Sequence, residues 1–317
     1  MTKGFLDYIF AAHIVNKDII FIKDEMVYIN ILTDFGFKRI FGSEENKDIL
    51  ISFLNACLSG LSEPITELEF LPTEQLGMRP SEKRVVFDLY CKSQCGEHFI
   101  IELQRSPQHF YADRSISYVS RIISRELRRG DKRYRIPKVY SINILDFDAD
   151  EFKSRAGYFW PVRLKDADNE IFSEKFTLIF IELNKFAARN KSQELSDELQ
   201  QWLYLLKNIS KMEAPDQRLQ QDVFRRVFEN CEYSKLDVME KENYQKSVLE
   251  YEDVQDAMRY AQERGGEEGF EKGKLEGKME GKMEGKMEIA RTMLDNKVAV
   301  QTIAKYTGLT EEEILSL

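Results

Sequence analysis

The sequence predicts an α/β core followed by a helical extension. Five segments rich in isoleucine, valine and phenylalanine have the alternation of β-strands, at residues 66–71, 85–91, 99–103, 139–145 and 176–183. Helical patterns at about 111–129 and 193–209 lie between and after these segments, and residues 216–264 continue as helix without a strand signal. Strands interleaved with helices are typical of a sheet that helices cover.

Composition narrows the class of protein. The 317 residues are 43% hydrophobic, which is enough to bury a sizeable core and excludes a wholly disordered chain. No run of about 18 apolar residues occurs, and the first residues lack the basic flank and cleavage site of a signal peptide. Four cysteines in a chain of this length do not make a disulfide framework. We therefore expect a cytoplasmic protein with reduced thiols and no membrane partner.

The chain is predicted to divide into five segments. They are an N-terminal segment 1–30 of unassigned role, the α/β core 31–210, a helical extension 211–264, a glycine-periodic connector 265–288 and a small helix-turn-helix-like tail 289–317. At the start of the core, the pattern predicts a short capped helix that follows Thr33 and ends at Gly42. A second helix is predicted over residues 44–58, with one apolar face.

The connector repeats a four-residue unit. Glycine recurs every fourth residue from Gly269 to Gly285, within units of the form EGKM. Five glycines inside a helix would cost roughly 4–5 kcal/mol relative to alanine. The repeat is therefore either a flexible tether, which we favour, or a helix whose glycine stripe lets another helix approach closely.

The tail has the spacing of a helix-turn-helix. Ala304 and Gly308 have the separation of the tight turn, and Thr310 with Glu313 forms a capping box. Its second helix would be EEEILSL, which is acidic and lacks the donors that read base edges. We therefore expect this C-terminal helical region to contact protein, including a second copy of the chain, more than DNA bases.

Two neighbouring strand segments are predicted to form a hairpin. A three-residue loop over residues 94–96, with its glycine in the left-handed conformation, pairs Ser93 with Glu97. That register places Asp88 directly opposite Glu102 on the same face. Directly opposed side chains have Cβ atoms roughly 4.5–5.5 Å apart.

Paired carboxylates on a sheet suggest a metal site. Two acids this close repel each other and are costly to bury. A divalent cation between Asp88 and Glu102 would remove both penalties, and hard oxygen ligands suit Mg²⁺. Gln104 lies two residues further along the same face. The alternative is an exposed sheet face on which both acids are solvated.

A basic island follows the hairpin. The whole chain has a net charge of −9, whereas residues 105–138 hold ten basic and three acidic residues, a net +7. On a helix over about 113–129, one stripe is formed by Arg114, Tyr118, Arg121, Arg125 and Arg128. The opposite, buried face is predicted to hold Ile116, Val119, Ile122, Ile123 and Leu127. The stripe is either a phosphate-binding surface or a solvated basic face.

Three motifs between residues 33 and 185 carry a family resemblance. They are TDFGFKRIFG, the hairpin FD-x13-E-x-Q and FYADRSISYVSR. Together they resemble the PD-(D/E)XK nuclease superfamily, and more narrowly its recombination-promoting nuclease and putative transposase branch. The resemblance implies a restriction-endonuclease-like core, which is a mixed sheet flanked by helices. It also implies that Asp88 and Glu102 are metal ligands and that Arg114 and Tyr118 lie near the scissile phosphate.

Two further residues are compared with the family pattern. Gln104 stands where many superfamily members have lysine, although this branch is similar to the present sequence in using glutamine. Lysine would supply positive charge, whereas glutamine can only hydrogen-bond. Asp34 matches the acid of the branch's first helix, and it either reaches the site or caps that helix.

Residues and resemblance together lead to one main hypothesis. We expect a Mg²⁺-dependent, transposase-like endonuclease that hydrolyses phosphodiester bonds in double-stranded DNA. Its catalytic residues would be Asp88, Glu102, Gln104 and Asp34, and its arginine helix would bind the DNA backbone. Two alternatives stay open, a catalytically inactive DNA- or protein-binding module that keeps the fold, and an RNA nuclease with the same site.

Overall fold

The computed structural model describes residues 26–75, 84–127, 135–189 and 194–317, with the backbone alone at seven positions between 267 and 280. By its internal packing the chain divides into two compact units, Met1–Gln255 and Asp256–Leu317. The segment boundaries expected from the sequence stay predictions.

A mixed sheet forms the centre of the first unit. Eight strands are described: β1 Leu68–Phe70, β2 Glu74–Gln75, β3 Val85–Val86, β4 Leu89–Ser93, β5 His98–Gln104, β6 Val139–Leu145, β7 Phe159–Lys165 and β8 Ile171–Glu182. Six of them form one sheet in the order β1-β4-β5-β6-β8-β7, in which β6 pairs in parallel with β5 and β8 and the other pairs are antiparallel. Strands β2 and β3 form a separate two-stranded sheet.

Helices flank the sheet and make up the second unit. Among the described residues they are α1 Asp34–Phe41, α2 Lys47–Cys57, α3 Tyr111–Glu126, α4 Leu183–Arg189, α5 Glu198–Asn208, α6 Asp222–Cys231, α7 Val238–Asp295, α8 Val300–Thr307 and α9 Glu311–Leu315. Short 3₁₀ turns occur at Glu44–Asn46, Asp150–Phe152, Ile209–Lys211 and Tyr233–Lys235. A mixed sheet with flanking helices confirms the predicted α/β fold class. In the part of the chain described, none of the helices is both long and apolar enough to cross a membrane.

The core lies between one face of the sheet and four helices. Trp202 of α5 is fully buried, and its ring centroid lies 4.9 Å from Phe224 of α6, 5.6 Å from Phe53 of α2 and 5.8 Å from Phe41 of α1. Strand residues such as Ile101 join this cluster. Because successive strand residues face opposite sides, their neighbours point towards the other face, which α3 covers.

The local signals around α1 and the hairpin are confirmed. The Thr33 hydroxyl accepts a hydrogen bond of 3.0 Å from the Gly36 N–H and so caps α1. Strands β4 and β5 pair Leu89 with Ile101 and continue in that register to the turn. There Gly96 has a φ of +78°, in the left-handed region predicted for it.

Three strands differ from the expectation, and the first is β2, a two-residue strand that the sequence did not predict. The segment 85–91 is not continuous, because β3 pairs with β2 and the chain bends at Phe87 and Asp88 before β4 begins. The sequence did not predict β7 at all. That strand is the sheet edge, most of its side chains are exposed, and Pro161 interrupts the usual strand pattern, so it lacks the apolar alternation of a half-buried strand.

The glycine repeat is helical, which corrects the interpretation as a flexible tether. Helix α7 runs through it without interruption, and a Cβ built on Gly281 would meet no atom within 4 Å. The glutamate, lysine and methionine between the glycines favour helix, and Met283 and Met287 pack on the small apolar core around Ile303. In the tail, the capping box and a left-handed Gly308 are confirmed.

We expect Gly96→Ala to lower the free energy of unfolding by about 1 kcal/mol, because an L side chain at positive φ is strained. The added methyl group itself would lie 3.8 Å from Lys92, which is an ordinary contact. Urea denaturation measures the change. Gly96→Asn is the control and should lose less, since asparagine visits the left-handed region. Equal stability of the alanine variant and the wild type would contradict the assigned turn.

Candidate functional site

The hairpin brings Asp88 and Glu102 together. Asp88 lies one step beyond the last β4–β5 pair, opposite Glu102. The Asp88 N–H donates to Glu102 Oε1 at 3.3 Å, and the Leu103 N–H donates to Asp88 Oδ2 at 2.8 Å. Each carboxylate is thus tied to the opposite strand segment, as the predicted register requires.

Burial gives this pair unusual electrostatics. Glu102 is 3% exposed, and burial together with the Asp88 charge raises its pKa to about 8, against the opposing effect of Arg114. Burial also raises the pKa of Asp88, although the hydrogen bond from Leu103 acts in the opposite direction. Without a further cation, Glu102 therefore keeps its proton near neutral pH.

Gln104 lies beside the pair and is buried. Its Nε2 donates to Glu102 Oε2 at 3.2 Å, and its Oε1 accepts from Gln108 Nε2 at 3.1 Å. The side chain therefore offers hydrogen bonds but no charge at the position where the superfamily commonly has lysine.

Arg114 is a cation beside Glu102. Its Nη2 lies 3.9 Å from Glu102 Oε2, and the guanidinium lies over the rings of Tyr111 and Tyr118, at 4.8 and 5.5 Å from their centroids. It also contacts Gln108. The Arg114 Nε is buried and has no hydrogen-bond partner among the described atoms.

Helix α3 is anchored to the sheet next to Glu102. Asn143 of β6 is the register partner of Glu102, and its Oδ1 accepts from the Tyr111 hydroxyl at 2.7 Å and from Ser115 at 3.4 Å. The buried face of α3 is therefore Tyr111, Ser115, Val119 and Ile122. Ile116, expected in that face, is 47% exposed, because the helix is turned so that its arginine side borders the site.

The rest of the arginine stripe extends away from the carboxylates. The Tyr118 ring packs against Phe87 at 5.1 Å, Arg121 is half-buried, and Arg125 is exposed and contacts Gln75 of β2. Arg128, also predicted in the stripe, lies outside the described residues.

Asp34 occupies the first position of α1 and does not cap it, because Thr33 does. Its carboxylate forms an ion pair of 3.0 Å with Lys38. The charges of both residues act on Asp88, Asp34 raising its pKa and Lys38 lowering it. Asp34 also borders a cavity of about 750 Å³. The prediction that Asp34 caps the helix is therefore wrong. That Asp34 reaches the carboxylate site stays a prediction, which its electrostatic effect on Asp88 supports.

The residues present fit a small divalent cation. Across the described ranges, no cluster of three or more histidine, cysteine, aspartate or glutamate side chains is found, so Asp88 and Glu102 would be the only ligands of those types. Both offer hard oxygen atoms, and a cation would offset the burial and the Asp88 charge that together raise the pKa of Glu102 to about 8. Mg²⁺ is bound in proteins by one or two carboxylates while it keeps several waters.

Three contributors to the site were missed in the sequence. Asn143 is a polar residue within the apolar strand VYSINIL, and a buried polar group in such a run is a usable signal because it needs a partner. Tyr111 is that partner, and its position on α3 could not be read from helical spacing alone. Gln108, which connects Gln104 to Arg114, has no such signal because it lies outside any periodic segment.

Comparison with known families supports the resemblance. A family profile described as PD-(D/E)XK nuclease family transposase matches residues 31–261, which include every described strand. A second profile, the C-terminal HTH domain of the Rpn/YhgA-like nuclease family, matches residues 283–317. Searches of curated proteins and of solved structures returned no match.

We expect the metal-free protein to lose stability between about pH 4.5 and pH 8. In this window Glu102 ionises in the unfolded chain but keeps its proton in the folded one, so rising pH favours unfolding. The loss from this group approaches about 1.4 kcal/mol per pH unit. Urea unfolding in EDTA at several pH values measures it, and Glu102→Gln should remove this part of the slope.

The control is Glu97→Gln, a neighbouring acid on the same hairpin, which should keep the slope of the wild type. A divalent cation added at pH 8 should stabilise the wild type but not Glu102→Gln. Identical slopes in the wild type and Glu102→Gln would contradict the electrostatic account of the site.

Proposed function

The chain belongs to the PD-(D/E)XK nuclease family of transposases, and from that membership we propose that it is a Mg²⁺-dependent endonuclease acting on double-stranded DNA. The observation that carries the proposal is the pairing of the half-buried Asp88 with the buried Glu102, whose pKa is raised to about 8. Such a pair destabilises a metal-free fold, and a divalent cation offsets that cost.

Each residue of the pair has a defined part in this proposal. Asp88 and Glu102 would hold the metal, with their carboxylates oriented by the hydrogen bonds across the hairpin. Mg²⁺, when bound there, would lower the pKa of a water molecule and would stabilise charge on the phosphate. Gln104, held between Glu102 and Gln108, would orient the attacking water through its amide.

Arg114 would supply the positive charge that Gln104 lacks. Its guanidinium lies 3.9 Å from Glu102, and the rings of Tyr111 and Tyr118 support it. The planar guanidinium would donate two parallel hydrogen bonds to a phosphate beside the two carboxylates. Asp34 would act on the site only through its charge, since its electrostatic effect reaches Asp88.

The remaining arginines would bind DNA, and the tail would bind DNA or a second copy of the chain. Arg121 and Arg125, with Arg128, would contact phosphates and contribute affinity without sequence information. The HTH domain of the tail is a DNA-binding type of module, whereas its acidic α9 favours contact with a second copy of the chain. Four free thiols, three of them buried, fit a reducing cytoplasm.

A second candidate rests on Gln104. A neutral side chain at this position also suits a binding module that has kept the fold without cleavage, and an RNA nuclease would use the same groups. Incubation of the protein with supercoiled plasmid or labelled RNA, in Mg²⁺ or in EDTA, distinguishes the DNA endonuclease, the binding module and the RNA nuclease. Nicking of plasmid that EDTA abolishes supports the proposal, whereas binding without cleavage favours the module.

We expect Asp88→Asn and Glu102→Gln to lower plasmid nicking by about 100-fold or more, because each removes an ionised metal ligand. Gln104→Lys should keep or increase nicking, since it adds positive charge near the phosphate. Full activity in both carboxylate variants would contradict the assignment of Asp88 and Glu102 as metal ligands. Loss of nicking in Gln104→Lys with unchanged metal affinity would show that this position has another geometry.

We expect alanine at Arg121, Arg125 and Arg128 together to weaken duplex binding and to reduce the log–log salt slope by about 2–3 units, at roughly 0.9 per phosphate contact. Sequence preference should hardly change. Fluorescence anisotropy over a salt series measures both quantities. Deletion of residues 289–317 is the comparison and should leave the slope and nicking nearly unchanged while altering assembly. The reverse pattern would identify the tail as the main DNA-binding element.

A further inference from the structure

Phe110 lies at the start of α3 with its ring in solvent. It is 79% exposed and has a left-handed backbone, with φ at 61° and ψ at 32°. This conformation is strained for a bulky residue. Its carbonyl accepts a hydrogen bond of 3.0 Å from the Arg114 N–H, which begins the helix. Glycine or asparagine would make the same turn with less strain, so the fold itself gives no reason for a phenyl ring.

The ring is carried by the segment that joins the site to α3. Gln108, two residues earlier, donates to Gln104 at 3.1 Å and accepts from Arg114. The ring of His109 lies 6.3 Å from that of Phe110, centroid to centroid. Groups that would touch a phosphate therefore lie within one turn of an exposed aromatic ring.

The two sides of the turn at Phe110 differ in charge. Phe110 borders a pocket of about 140 Å³ whose wall also includes Phe147, Asp150 and Glu151. The two acids disfavour a phosphate there, because like charges repel. Carboxylates do accept hydrogen bonds from the amino groups of bases. The side of Phe110 thus suits a base, and the side of Arg114 suits a phosphate.

We propose that Phe110 stacks on a nucleobase of the DNA, next to the phosphate on which Asp88 and Glu102 act. This inference rests on the proposed nuclease function. Aromatic side chains stack on bases with little sequence preference. Phenylalanine inserted between base steps also unstacks and kinks a duplex. By holding one base, the ring fixes the position of the neighbouring phosphate against the carboxylate pair.

The test removes the ring without straining the backbone. Phe110→Gly keeps the left-handed turn, so its thermal stability should equal or exceed that of the wild type. Its affinity for labelled duplex DNA, measured in EDTA, should fall by about 5- to 150-fold, the range for loss of one stacked base. The salt slope should not change, because no charge is removed. Plasmid nicking in Mg²⁺ should fall with it.

Two further variants sharpen the result. Phe110→Trp should bind as well as the wild type, and DNA should quench the introduced indole beyond any change of the two native tryptophans. Phe172→Ala is the matched control, because Phe172 is also 79% exposed but lies on β8, eight residues before Phe180, whose ring lies 6.2 Å from that of Tyr111, the residue after Phe110. That separation is roughly 26 Å along a strand. This control should bind and nick as the wild type does.

Each remaining outcome is decisive. Wild-type affinity in Phe110→Gly, or an unquenched indole in Phe110→Trp, would overturn the stacking and leave the nuclease function intact. Equal losses in the glycine and tryptophan variants would show that the ring is not what matters and would overturn it too. Quenching by RNA but not by DNA would overturn the DNA assignment. A wild-type protein that neither binds nor nicks DNA would instead overturn the proposed function.

Discussion

Gly96, held at positive φ, closes the β4–β5 hairpin in a register that sets Asp88 opposite Glu102. Side chains alternate between the faces of a strand, so a slip of one residue would turn Glu102 and Gln104 into the apolar core. The cross-strand hydrogen bonds from Asp88 and Leu103 then orient the two carboxylates. The chemistry of the site therefore depends first on a backbone turn and only then on the acids.

A second constraint relates α3 to this register. Asn143 is paired with Glu102 across β5 and β6, and it accepts the hydroxyl hydrogen of Tyr111 at 2.7 Å. A buried amide oxygen left without a donor would cost free energy, so this contact specifies how α3 is turned. That orientation brings Arg114 to 3.9 Å from Glu102 and exposes Ile116. The arginine stripe is consequently continuous with the carboxylate site.

The first turns of α7 complete the same unit. The Phe35 N–H, one of the free donors at the start of α1, donates to Ser247 at 3.0 Å. The Tyr251 hydroxyl donates to Asp146 at 2.6 Å, and the Asp146 N–H donates to the Gln104 carbonyl at 2.9 Å. These bonds hold α1 and the end of β5 against one helix.

The sequence alone determined those features that depend on interactions between residues close together in the chain. Capping by Thr33 and the hairpin register depend on neighbouring residues, and both were predictable because such interactions act within a few positions. The contact of Tyr111 with Asn143 and the position of Gln108 were not, because they join elements whose mutual orientation depends on packing. Helical spacing predicted that Val119 and Ile122 of α3 are buried, whereas the tertiary structure decided how far the helix is turned, which exposes Ile116.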